Sequence, residues 1–268
     1  MTPTLQSIAI GFVVLSVVFF VLQKISPSVP GQKTFRRGFV TDLFYWAFTP
    51  LVTRAVTPIA VGIALIPIAV ANGVELKDLK TLAEGRGALA AQPLWAQAIQ
   101  ILIIGDFIGC WTHRWFHGGW RWRFHAVHHS SEDLDWLSSV RLHPVNDMLS
   151  RIAQAVPIVA LGYNAGAVAL YAVFTTIWAI ALHANLSWTF GPFRYVVASP
   201  AFHRWHHTSA EEGQDKNFAG LFPLWDLLFG TFYMPKGRQP EVFGVADPVP
   251  KGLIGQLIYP FRRARTTA

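Results

Sequence analysis

The sequence predicts an all-α, polytopic membrane protein with about four to five membrane helices and a cytoplasmic, histidine-rich helical cap. Three observations predict it. Of the 268 residues, 52% are hydrophobic and only 14% charged, whereas about a quarter of a soluble domain is charged. The apolar residues gather into runs approaching the ~20 residues of a spanning helix. All ten histidines fall between His113 and His207, beside the ends of such runs.

The first run, Leu5 to Leu22, is almost unbroken. No Lys or Arg precedes it and no small-residue cleavage site follows, so it reads as a retained helix rather than a signal peptide. A basic segment follows, with Lys24, Lys33, Arg36 and Arg37 ahead of the first acid, Asp42. The second run, Ala55 to Ala71, carries Pro58 and Pro67, which membrane helices tolerate. In the next loop Glu75, Lys77, Asp78, Lys80, Glu84 and Arg86 balance in charge. The third run extends from Leu94 to about Trp111. Ile152–Leu161 and Ala167–Leu182, joined by the turn signal GYNAG, form a fourth and fifth, each short enough for a tilted hairpin or a re-entrant pair.

Loop charge sets orientation. The basic loop after the first run belongs in the cytoplasm, with the N-terminus outside and the balanced loop at 72–93 outside as well. Five crossings then bring the segment from His113 onward and the tail with Arg262, Arg263 and Arg265 to the cytoplasmic side. The net charge of +7 reads as basic loops against anionic lipid headgroups, not as a nucleic-acid surface. Trp120, Trp122 and Trp136, interleaved with Arg121 and Arg123, read as anchors at headgroup level. The single cysteine, Cys110, excludes an internal disulfide, a four-cysteine zinc site and an iron–sulfur cluster.

The histidines have a spacing with chemical meaning. His113 and His117 lie one helical turn apart on one face. FHAVHHSS (124–131) and FHRWHHTS (202–209) repeat H-x-x-H-H. Its adjacent pair diverges by about 100° on a helix, so one imidazole can face one metal while its neighbour faces another. Eight such imidazoles exceed what one ion uses, which gives two metals. Asp106, seven residues before His113, is either an acceptor that orients a ligand imidazole or a helix-interior acid paired with an arginine. No H-E-x-x-H motif nominates a hydrolytic zinc site, and no Glu-x-x-His pairs mark a carboxylate di-iron bundle. A polyhistidine dimetal site at the membrane face points to oxygen activation.

At this point the chain resembles the sterol desaturase/fatty acid hydroxylase superfamily of membrane di-iron oxygenases. The residues that carry the resemblance are HRWFH (113–117), RFHAVHHSS (123–131), RLHP (141–144), HAN (183–185), FHRWHHTS (202–209), DKNFAG (215–220) and LWDLLFGTF (224–232). The resemblance implies two irons, for which zinc could substitute on purification, held by His113, His117, His125, His128, His129, His203, His206 and His207. It adds His143 and His183 as further ligands and Asn185 as a residue holding a water or a ligand near the metals. His143, before a proline, has the alternative of ending a helix; His183, at the end of an apolar run, that of a core group.

O₂ is the implied co-substrate, and the implied reaction is hydroxylation of an unactivated C–H of a lipid: fatty acyl, aminolipid, sterol or hopanoid, or carotenoid. Desaturation at the same site is the alternative. The chain has no H-P-G-G haem motif, so electrons are expected from a separate ferredoxin or cytochrome b5-like donor with its reductase. Leu227 stands where many relatives carry a basic residue. The expected organisation is 1–93, membrane helices and loop; 94–235, a hydroxylase-like dimetal domain; and 236–268, a basic tail. A bacterial inner membrane is the expected location. Haem binding and metal transport are the rival classes, but haem needs histidines within the spans and a transporter needs more midplane ionisable groups than Asp106.

Overall fold

The computed structural model describes residues 4–262, so Arg263 and Arg265 of the expected tail lie outside the described residues. Eleven α-helices follow in order: α1 (Leu5–Ile25), α2 (Phe39–Phe48), α3 (Arg54–Ala71), α4 (Gly87–Ala90), α5 (Leu94–Phe116), α6 (Trp122–His129), α7 (Pro144–Leu161), α8 (Ala165–His183), α9 (Pro200–His206), α10 (Leu224–Leu228) and α11 (Leu253–Ile258). Among the described residues there is no strand. Four stretches are long and apolar enough to span a membrane: α1, the continuous Phe39–Ala71, α5 and α8. The protein is an integral membrane protein.

Local chemistry sets the helix ends. Thr4 and Ser7 form a reciprocal capping box at the start of α1, satisfying donors that no helical carbonyl reaches. Between α2 and α3, residues Thr49–Thr53 form a π-helical turn containing Pro50, whose missing N–H helps to widen the ladder. Gly162, at φ 99°, ends α7, and Asn164 caps α8 two residues later.

The short hairpin expected after residue 151 is a full pair of helices. α7 has 18 residues and α8 has 19. The apolar run Ile152–Leu161 is only the second half of α7; its first half carries Asp147 and Arg151. α7 packs between α3 and α5, and its far end is tied to the balanced loop, where Arg86 N donates to the Gly162 carbonyl at 2.8 Å. Close approach to α5 is allowed by Gly105 and Gly109, one turn apart. A methyl on Gly105 would meet the Tyr171 ring of α8 at 2.7 Å, and one on Gly109 would meet Gln154 of α7 at 2.7 Å. Small residues at this spacing are how apolar helices pack without a hydrophobic drive between them.

One end of this bundle carries every histidine. There α9, α10 and the connecting loops pack around Phe202, Trp205 and Phe218, while α6 and α11 pack around Ala126, Val127 and Tyr259, and together they form a cap. Of the four cations of the basic segment, Arg36 is built into the cap, while Lys24, Lys33 and Arg37 are exposed. Arg36 is buried between Asp42 (2.7 Å) and Asp135, and Arg141 Nε donates to the other oxygen of Asp42 at 2.6 Å. The paired carboxylates hold the Arg36 pKa above its ordinary value against the opposing effect of burial, the largest single influence on it. Trp136 is also buried, stacked on Phe19 and edge-on to Trp46. It is core, whereas Trp120 is exposed. Trp122 is half-buried and donates to Asp247.

Candidate metal centre

Each H-x-x-H-H motif occupies a short helix. α6 ends in His128 and His129, and α9 begins at the Ser199 cap, whose side chain accepts from Phe202 N, with Pro200 in its first turn. The ends of each motif, four residues apart, share a face; the middle histidine turns away. α5 delivers His113 and His117 to the same place, and α8 delivers His183 at its last turn.

The result is two adjoining clusters. His113, His117, His125, His129 and His206 form one; His128, His183, His203 and His207 form the other, with ligand atoms in each within 4.8 Å of one another. The two octapeptides exchange partners. α6 gives both ends of its motif to the five-histidine cluster and its middle to the four-histidine cluster, while α9 does the reverse. The clusters touch where the His129 and His207 rings stack at 4.3 Å.

The Nε2 atoms converge in a way that protein alone does not explain. Nε2–Nε2 separations are 3.0 Å for His113–His125, 3.2 Å for His125–His129, 3.1 Å for His128–His183, 3.2 Å for His183–His203 and 3.1 Å for His203–His207. Nitrogens bound to one ion at about 2.0–2.1 Å stand about 2.9–3.4 Å apart in octahedral or tetrahedral geometry. The donor set therefore fits a metal in each cluster. It leaves no room for a porphyrin between opposed imidazoles.

The opposite ring nitrogens explain why Nε2 faces inward. Six imidazoles have Nδ1 against an oxygen: His113 on Phe218 O (2.9 Å), His117 on Asp215 (3.0 Å), His125 on Asn146 Oδ1 (2.7 Å), His128 on Arg141 O (3.0 Å), His183 on Ala179 O (2.7 Å) and His206 on Lys216 O (2.7 Å). An Nδ1–H donated to such an acceptor fixes the tautomer and leaves the Nε2 lone pair for a metal. Nε2 of His117 and of His206 are buried with no protein partner. Burial first, and neighbouring histidines second, push His125, His129, His206 and His207 well below the usual histidine pKa. His128 and His203 are lowered likewise, again chiefly by burial. Burial thus favours the neutral form of these rings, the form in which an imidazole can bind a metal.

Three of the six acceptors belong to Asp215, Lys216 and Phe218. Asp215 (φ 53°) and Asn217 (φ 57°) both take the left-handed backbone conformation, which costs non-glycine residues energy and tends to mark functional segments. Asn217 holds this turn by donating to Phe202 O (2.8 Å) and Tyr233 O (2.7 Å). Asp226 accepts from the N–H groups of Phe218 and Ala219 and from Thr231. The DKN segment is thus a strap whose oxygens aim three imidazoles. Sequence reasoning matched it to a family without finding this role; the oxygens used are mostly backbone, which spacing does not reveal. Asn146 and Asp226 were missed as well, although Asp226 lies in the matched LWDLLFG segment.

Three expected site residues act elsewhere. Asp106 touches neither a histidine nor an arginine. It accepts from Gly220 N, Leu221 N, Phe222 N and Trp225 Nε1 at 2.8–3.1 Å, so it reaches His113 only through the loop it secures. Asn185 accepts from Val29 N (2.8 Å) and donates to Val29 O (3.0 Å), pinning the chain after α1. His143 stands outside both clusters. Its Nδ1 caps α7 by accepting from Val145 N (3.2 Å), and its Nε2 lies 3.1 Å from Leu257 O. With both nitrogens engaged by backbone, His143 ends a helix, while His183 joins the four-histidine cluster.

A cavity of about 500 Å³ reaches the clusters from within the bundle, touching His113, His183 and His203. Its apolar wall includes Trp46, Val140, Trp178, Ile180, Leu182 and Leu221. It is of a size that holds a small-molecule or acyl ligand.

Fold and site together define a class: an integral membrane protein with a polyhistidine metal site between its helices and cap. The family model described as fatty acid hydroxylase matches residues 98–231, and the chain belongs to that family, within the sterol desaturase/fatty acid hydroxylase superfamily. It is 30% identical over 173 residues to an ornithine lipid hydroxylase of Rhizobium tropici, covering 63% of this chain and 52% of that protein. It is 30% identical over 145 residues to the alkylglycerol monooxygenase of Homo sapiens, covering 54% of this chain and 32% of that one. A very-long-chain aldehyde decarbonylase of Oryza sativa subsp. indica is 28% identical over 140 residues, 47% of this chain and 21% of that one. The chain thus spans about half the length, or less, of these relatives. No solved structure matches it.

Proposed function

We propose that the protein is an O₂-dependent di-iron hydroxylase of a lipid, taking electrons from a separate ferredoxin or cytochrome b5-like donor. One observation carries this reading: two adjoining clusters of neutral imidazoles line the inner end of an apolar cavity inside a membrane bundle. The relatives named as lipid hydroxylase and monooxygenase support the reaction class. Iron bound in the clusters would supply oxygen activation and attack on an unactivated C–H bond.

The chain's residues do the rest. The DKN strap and the Asn146 amide hold the imidazoles in one tautomer. Val140, Ile180, Leu182 and Trp178 keep water from the carbon to be oxidised and lay an acyl chain against His183 and His203. His113, His117, His125, His129 and His206 are proposed to hold one iron, and His128, His183, His203 and His207 the other. The basic loop at 24–37 supports a cytoplasmic cap with the N-terminus outside, and a bacterial inner membrane is the proposed location.

Metal analysis of the purified full chain should return two irons per chain. Lipid extracts of cells expressing it under isotopically labelled O₂ should gain a hydroxylated lipid carrying the label. A new double bond with no label in the product would replace hydroxylation by desaturation. No metal and no product would sink the reading.

A further inference from the structure

The cavity that reaches the histidines has a second, charged end. Arg54, at the start of α3, and Arg151, on α7, line both this cavity and a neighbouring one of about 420 Å³ walled by Pro58, Val173 and Ile177. Val173 and Ile177 are exposed on the outer surface of α8, the surface that faces lipid in a membrane. The two arginines therefore stand where the inner cavity meets the bilayer. Thr176 of α8 lines both cavities too and precedes His183 by seven residues, which is about 10 Å along a helix. The charged end thus lies beside the middle of the apolar helix α8, about 10 Å along it from His183.

The charges there do not balance. Asp147 pairs with Arg151, Oδ1 to Nε at 2.8 Å. Its other oxygen, Oδ2, is buried and accepts from nothing. The Arg54 backbone N–H donates to the Thr49 carbonyl, but its guanidinium has no hydrogen bond or ion pair among the described residues. The other acid on the cavity wall, Asp106, already has four donors. Two guanidiniums thus face one carboxylate at the cavity mouth, with Arg54 on its exposed side, and beside lipid an uncompensated charge is costly. Ionisable side chains inside a membrane mark ligand paths for this reason. Guanidinium also has the fork geometry that binds a carboxylate or a phosphate.

We infer that Arg54 and Arg151 form an anion anchor that grips an oxyanion, carboxylate or phosphate, on the lipid whose chain reaches the metals. Asp147 keeps the Arg151 fork oriented, and its unused oxygen accepts from a water bound to the ligand's headgroup. The anchor fixes how far along the chain the oxidised carbon lies. This rests on the hydroxylase reading, because it assigns that enzyme's substrate class.

The test is anaerobic binding to the iron-loaded full chain in non-ionic detergent, using dodecanol, dodecanoate and dodecyl phosphate as probes. At least one oxyanion should bind about tenfold or more tightly than the alcohol, the scale of a charge-assisted hydrogen bond. The tighter of the two identifies the headgroup as carboxylate or phosphate. Arg54→Gln and Arg151→Gln should each erase most of that preference, while Arg54→Lys keeps much of it and iron content stays at the wild-type value. Equal binding of all three probes to wild type overturns the anchor, as does a preference that survives both Gln variants. If iron fails to bind wild type, the metal reading fails, and the probe preference, measured on the same chain, still decides the anchor.

Discussion

The two histidine clusters are built from the same motifs, yet they are held differently. In the five-histidine cluster, four rings have Nδ1 on an oxygen, three of them supplied by the strap at 215–218 and one by Asn146. In the four-histidine cluster, only His128 and His183 are held in this way, and Nδ1 of His203 and of His207 is buried without a partner. The first cluster is positioned by hydrogen bonds from loops. The second is positioned by packing: all four of its histidines are buried, and two of them line the cavity. With one histidine fewer, and two rings on the cavity wall against His113 alone in the other cluster, the second is the one that would leave a coordination position open to the cavity were a metal bound. Rigidity and access are thus divided between neighbouring sites.

That comparison breaks most sharply in the four-histidine cluster. His128→Ala should remove its metal and abolish product formation, leaving one iron in the five-histidine cluster and the chain still in the membrane. Metal stoichiometry with a membrane-extraction assay checks this, and two irons with full turnover would refute the assignment. A smaller effect is expected from the strap. Asp215→Ala frees the His117 ring and should weaken metal affinity by about 10–100-fold, the usual cost of losing such a partner. Chelator competition measures it. No change would mean that packing, not the carboxylate, aims His117.

Acid should act on both clusters through burial. His125, His128, His129, His203, His206 and His207 bind protons more weakly in the folded protein than in the unfolded chain. Their contribution to stability is therefore complete above about pH 6.5, the free-histidine value, and is lost as the pH falls below it. Thermal melts of the metal-stripped protein between neutral and mildly acidic pH should show the decline. The smallest effect is expected outside the clusters. His143→Ala should leave iron content unchanged and cost about 0.5–2 kcal/mol, the range for a lost helix cap. Loss of a metal in this variant would return His143 to the site.

What the sequence makes legible follows from what spacing can encode. The i, i+4 pairs and the divergence of adjacent residues on a helix are local geometry, so the split of each H-x-x-H-H between two sites is readable before any fold is known. The apolar runs locate α1, α5 and α8 for the same reason. Ranges that join amphipathic and apolar turns are harder: the charged first half of α7 hides a helix that crosses the whole bundle. Asp106 shows the other limit. Its seven-residue offset from His113 is correct for one face, but the donors that claim it come from residues 220–225, on a loop far away in sequence. His143 was ambiguous between cap and ligand, and the nearby carbonyl of Leu257 lies over a hundred residues away.

The exchange of partners between α6 and α9 has a consequence for assembly. Each short helix gives histidines to both clusters, so on the proposed two-iron reading binding of a first ion would order the scaffold of the second. The ordering entropy of α6 and α9 is then met once, at the first binding step, and the second ion meets imidazoles already in place. On that reading metal uptake should be cooperative, with chains carrying none or two ions expected to dominate over the singly loaded form.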